Sequence, residues 1–139
     1  MIVSCNECDN RAIFARKENK RSFRVKNSSK RYINEVRVDG CLIKSGKKCD
    51  WLYEIECQNT NEIFYVELKG KDLNHALEQI LETIDYCNRV HNHNSCKKRA
   101  YIVLSRYPKE DSSIQKKKKE LNKRGIKLKI ATNVHEEVI

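Results

Sequence analysis

Two β-rich runs, Asp50-Trp51-Leu52-Tyr53-Glu54-Ile55 and Phe64-Tyr65-Val66-Glu67-Leu68-Lys69, are followed at once by a switch to a 3.6-residue apolar period. That sequence of patterns constrains the chain more than any other feature. In the first run Trp51, Tyr53 and Ile55 fall on one face, while Asp50, Leu52, Glu54 and Glu56 fall on the other. The turn residues Asn59-Thr60-Asn61 separate the runs, so they read as adjacent antiparallel strands over 49–57 and 62–69. On the second strand Glu67 and Lys69 share a face by alternation. One carboxylate from each strand with an ammonium beside them could hold a divalent cation against a phosphodiester.

The helical period covers Leu73, Ala76, Leu77, Ile80, Leu81, Ile84 and Cys87. It predicts an amphipathic helix of roughly 15 residues, with Asp72 as its N-cap. Upstream, Val36, Val38, Cys41 and Ile43 suggest a strand over 35–43, interrupted by Gly40 as a bulge. Downstream, residues 101–104 read as a buried strand. A basic helix opens at Ser112 or Ser113 and stops at Gly125, and Ile126, Leu128 and Ile130 alternate as a last strand. The order implies an α/β fold, a central mixed sheet flanked by helices. The 139 residues suit one domain. Within it, 1–34 is a basic N-terminal segment with a short strand near 22–25, 35–106 is the core, and 107–139 adds a helix and a strand.

These residues resemble the PD-(D/E)XK nuclease superfamily, whose fold is restriction-endonuclease-like. The resemblance covers residues 36–104. It rests on Asp50 opening one strand, Val66-Glu67-Leu68-Lys69 ending the next, and the helix that follows. It implies a Mg²⁺- or Mn²⁺-dependent endonuclease acting on DNA, with RNA left open. Asp50 and Glu67 would be metal ligands, and Lys69 would assist the attacking water. Asp39 and Gln79 are supporting candidates, on a neighbouring strand and on the helix after the motif. Asp39 reads equally well as a turn residue, and Gln79 as a solvated helix position. Many members carry a glutamate on a helix before the first strand. Glu35 is the weak counterpart here, because no helix is expected upstream. Such compact enzymes work as homodimers or as subunits of larger assemblies. The alternative is a non-catalytic nucleic-acid-binding module, or an inactive nuclease-like subunit of a larger complex.

Charge and cysteine content bear on partners and surroundings. Twenty-nine Lys and Arg against nineteen Asp and Glu give a formal charge of +10. That excess favours a polyanionic partner, because neutralised phosphates release counterions. The run Lys116, Lys117, Lys118 and Lys119 is a candidate phosphate-binding stretch, or simply a solvated face. Seven cysteines make a poor disulfide framework, so Cys41, Cys49, Cys57 and Cys87 are expected as reduced, buried residues. Cys5-x-x-Cys8 has zinc-ligand spacing, and His91, His93 and Cys96 could complete such a set. A second CxxC is missing, so a structural zinc is not the expectation. No apolar run approaches the ~20 residues of a membrane span, and the first residues are too short for a signal-peptide core. A cytoplasmic location without membrane contact is expected.

Overall fold

A computed structural model describes residues 1–70 and 72–139, apart from the side chain of Lys69. The chain runs through β1 (Asn6–Asp9), β2 (Ile13–Glu18), β3 (Arg21–Lys26), β4 (Ile33–Arg37), β5 (Trp51–Ile55) and β6 (Glu62–Gly70). Then come α1 (Leu73–Val90), β7 (Lys97–Leu104), α2 (Ser112–Lys123), β8 (Lys127–Thr132) and β9 (Val134–Val138). A six-stranded sheet has the order β1-β4-β5-β6-β7-β8, and β2-β3-β9 form a second, three-stranded sheet. From β1 to β6 the large sheet is antiparallel; β6, β7 and β8 are parallel. The parallel steps run through α1 and α2, because parallel neighbours need a crossover that a tight turn cannot supply. The fold is mixed α/β, as the order of patterns predicts.

The large sheet is buried on both faces. Val36, Leu52, Ile63, Tyr65, Ala100 and Ile102 pack beneath the apolar stripe of α1 and Ile114 and Leu121 of α2. Ile33, Tyr53, Ile55, Phe64, Val66, Leu68, Tyr101 and Val103 pack against Phe14, Phe23 and Val25 of the small sheet. Asp72 caps α1, its Oδ1 accepting from the His75 backbone N at 3.2 Å. In α2 the cap is Asp111, one residue before the expected serines, with its Oδ1 accepting from Ile114 N at 2.8 Å. Gly125, at φ +75°, lets the chain leave α2 in a left-handed conformation. Among the described residues no helix is long and apolar enough to cross a membrane.

Three expectations change. The segment 1–34 holds β1, β2 and β3 where one short strand was expected. Its inward residues are few (Phe14, Phe23, Val25), and the outward positions are basic, so hydrophobic alternation is faint. The strand expected over 35–43 stops at Arg37, because Gly40 sits at φ +78° and the chain folds back to a bridge between Asp39 and Ile43. Gly40 is a turn residue, not a bulge.

The third change concerns sulfur. Cys5 is bonded to Cys41 and Cys8 to Cys57, so Cys41 and Cys57 are not reduced. Pairing of β1 with β4 explains this. Cys5 O accepts from Arg37 N at 2.9 Å at one end, next to the turn that carries Cys41. At the other end Cys8 faces Asn34, while Cys57 N donates to Tyr32 O at 2.9 Å. Cys49, Cys87 and Cys96 remain thiols.

Candidate functional site

Asp50 stands one residue before β5, where three elements meet. Its backbone N donates to Val66 O at 3.0 Å, and its Oδ2 accepts from Leu68 N at 2.8 Å. Main chain and side chain of Asp50 therefore bracket Glu67. The β5–β6 register ends at the pair Trp51–Val66, and the bond from Asp50 N to Val66 O sets Asp50 beside that same residue, next to Glu67 in sequence. Alternation along β6 sends Val66 and Leu68 toward the small sheet and Glu67 toward α1. Glu67 is fully buried and Asp50 is 6% exposed.

Helix α1 fixes the approach to Asp50. Gln79 Nε2 donates to Lys48 O at 3.1 Å. One turn on, Thr83 Oγ1 accepts from Cys49 N at 2.8 Å while donating to Gln79 O at 2.7 Å. Gln79 thus lies at the candidate site as a part-buried holder of the chain, not as a solvated residue. The Cys49 thiol reports the local field. Burial first, then the negative charges of Glu67 and Asp50, push its pKa well above the ordinary thiol range. Cys49 is therefore a protonated filler and no nucleophile.

A cavity of about 300 Å³ opens beside Asp50, lined by Lys17, Glu18, Arg37, Asp39, Trp51 and Leu68. Asp39 enters from the turn after β4, where its Oδ1 is 3.8 Å from Lys48 Nζ. Its backbone N donates to Asp50 O at 3.4 Å. Lys17 and Glu18 come from the tip of the β2–β3 hairpin. Arg21, at the start of β3, anchors that tip by donating to Leu68 O and to Ser105 Oγ. Leu68 therefore has its N held by Asp50 and its O held by Arg21. The peptide that separates Glu67 from Lys69 is fixed from both sides of the sheet. Sequence reading missed Lys17, Glu18, Arg21 and Arg37. The available signal was Asn19-Lys20 between alternating residues, a two-residue hairpin turn with Asn19 at φ +54°.

The carboxylates of Asp50 and Glu67 offer oxygen donors only, the ligand type that a hard cation such as Mg²⁺ takes. Among the described residues no group of three or more His, Cys, Asp or Glu converges as a metal cluster. The amine of Lys69 lies outside the described residues.

Other candidates fall elsewhere. Glu35 is buried on the small-sheet side, accepting from Arg16 Nη2 at 2.6 Å and Tyr53 OH at 2.9 Å. It is a structural acid. Cys5 and Cys8, consumed in disulfides, cannot supply zinc thiolates. His93 is only 3% exposed, and its Nε2 lies 2.9 Å from Glu54 Oε2 and its Nδ1 3.0 Å from Tyr65 OH. His91, His93 and Cys96 are therefore not joined to a cysteine pair. In the lysine run, Lys117 lies 3.4 Å from Glu78 and Lys118 2.9 Å from Glu110, while Lys116 and Lys119 are exposed. A second cavity, about 800 Å³, lies between α2 and β8 and includes none of these carboxylates. No family model, no curated protein and no solved structure matches this chain.

Proposed function

We propose that the chain is a metal-dependent nuclease of the PD-(D/E)XK type that hydrolyses phosphodiester bonds in DNA. The observation that carries this reading is Asp50, bonded through its main chain to Val66 O and through Oδ2 to Leu68 N on either side of Glu67, beside a cavity and with α1 following. A restriction-endonuclease-like arrangement is consistent with the antiparallel β4–β5–β6 unit and the parallel β6–α1–β7 step. This chain would depart from it in having no helix before β4 among the described residues, and a three-stranded sheet on the second face.

In this reading Asp50 and Glu67 hold the divalent cation. A bound Mg²⁺ or Mn²⁺ supplies Lewis acidity and lowers the pKa of its water. The protein supplies order. Asp50 keeps Oδ2 on Leu68 N, which sets the carboxyl plane relative to β6. Burial of Glu67 beneath α1 excludes bulk water, so its charge acts at low effective dielectric. Lys69, two residues on, provides the ammonium that orients the attacking water and offsets charge on the phosphate oxygens.

The test is cleavage of supercoiled plasmid with Mg²⁺ or Mn²⁺ against EDTA. Glu67→Gln, Asp50→Asn and Lys69→Ala should each lower the rate on the order of a hundredfold or more. Lys69→Arg should not rescue, because a planar guanidinium replaces a compact ammonium. Folded wild-type protein that binds DNA but never cuts would leave the non-catalytic nucleic-acid-binding module in its place.

A further inference from the structure

The cavity beside Asp50 has carboxylates and two exposed cations on its walls. Lys17 reaches it from β2 in the small sheet, and Arg37 from the end of β4 in the large one. Several other arginines are engaged: Arg16 with Glu35, Arg99 with Glu62, and Arg124 with Asp85 and Glu120. The Lys17 and Arg37 side chains make no ion pair or hydrogen bond with any described residue. The Arg37 guanidinium lies beside the turn at Gly40, where a Cβ would meet Nη2 at an ordinary contact distance of 3.7 Å.

We propose that Lys17 and Arg37 form a two-sided phosphate clamp that seats the backbone of duplex DNA across the mouth of the Asp50 cavity. The clamp deepens the nuclease reading and rests on it for the ligand. A lysine point charge and an arginine fork, held on two different sheets, suit the non-bridging oxygens of one phosphate or of two successive ones. Each sheet is fixed relative to the other because Arg21 ties the hairpin tip to Leu68 O. The backbone positions that carry the two cations beside Asp50 are therefore set before any ligand arrives. Lys116–Lys119, with its two inner lysines already paired, is not the principal contact.

The test is anisotropy of a fluorescent 20-base-pair duplex in EDTA, where cutting cannot occur, between 50 and 200 mM salt. Each phosphate contact contributes about 0.9 to the slope of log affinity against log salt. Lys17→Ala/Arg37→Ala should lower the slope by about 1.8, shrinking the affinity loss across that range by about twelvefold. Lys116→Ala/Lys119→Ala should change it less, and Lys17→Arg/Arg37→Lys should keep it. Both residues are exposed, and circular dichroism with a melting curve checks that each variant is folded. An unchanged slope in the double alanine variant overturns the clamp, as does wild type that binds duplex RNA and not duplex DNA. Cleavage with an unaltered slope would sink the clamp and spare the nuclease. A lowered slope without cleavage in Mg²⁺ or Mn²⁺ would do the reverse.

Discussion

Reduction of the two disulfides should remove much of the stability of this fold. Cys5–Cys41 spans 36 residues and Cys8–Cys57 spans 49. In the chain-entropy treatment either bridge alone restricts the unfolded state by about 4 kcal/mol. The loops overlap, so the two values do not simply add. With Cys5–Cys41 closed, the second bridge shuts only the shorter path through both crosslinks, roughly 20 residues, which is about 3 kcal/mol. The pair together is then about 7 kcal/mol, against total stabilities of about 5–15 kcal/mol for ordinary domains. With a urea m-value of about 2 kcal/mol/M, the midpoint should fall by about 3.5 M on reduction.

Urea titration followed by Trp51 fluorescence, with and without a phosphine reductant, measures the shift. Thiol counting checks the premise. Unfolded, unreduced protein should show the three thiols of Cys49, Cys87 and Cys96. Native protein should react slowly and only at Cys96. Cys49 is fully buried, and burial pushes the Cys87 thiol up to about 12. Seven thiols in the unreduced, unfolded chain, or coincident urea midpoints, would refute the crosslinked fold. Because Cys41 lies two residues beyond Asp39, reduction should also loosen the turn that lines the candidate site.

Two further outcomes follow from buried polar contacts. Glu54 is 1% exposed; burial acts to raise its pKa, but bonds from His93, Ile2 N and Asn34 prevail and leave it below the usual 4.5. Its contribution to stability is therefore present above pH 4.5 and is lost as pH falls through the lowered folded value. Glu54→Gln should flatten the stability profile below pH 5, and His93→Ala should cost about 3 kcal/mol in urea unfolding at pH 7. Arg16 lies over the Trp51 ring at 4.0 Å and pairs with Glu35, so Arg16→Ala should alter tryptophan emission and cost about 2 kcal/mol. An unchanged spectrum would contradict that stacking.

The part of the fold with a strong period was legible. β5, β6, α1, β7, α2 and β8 follow from alternation, turn residues and caps, because burial on a helix or strand imposes its spacing directly. β1, β2, β3 and β9 were hidden for a physical reason. Ile13, Val134 and Val138 are exposed, while Phe14, Phe23 and Val25 are separated by basic residues. The small sheet is stabilised by one buried face and by long-range links such as Tyr101 OH to Glu137 Oε1 at 3.0 Å. Such links leave no local signature. Sulfur was hidden likewise, since pairing depends on the β1–β4 register and not on spacing. The same holds for Glu54 and His93, 39 residues apart, which look like surface residues until α1 covers that side of β5.

That blind spot matters for the candidate site, because half of its wall comes from the illegible segment. Asp50 and Glu67 are set by two neighbouring strands, and any hairpin of this sequence would bring them near each other. What a hairpin alone cannot do is fix the peptide after Glu67, exclude solvent from that carboxylate, and place cations beside Asp50. Arg21 does the first from the small sheet and α1 the second through Gln79 and Thr83. Lys17 and Arg37 stand for the third. Both sheets and the Cys5–Cys41 disulfide meet near the strand ends where β4 and β6 finish and β5 begins. A change that unfastens the β2–β3 tip, such as Arg21→Ala, should therefore reach the site without touching either carboxylate.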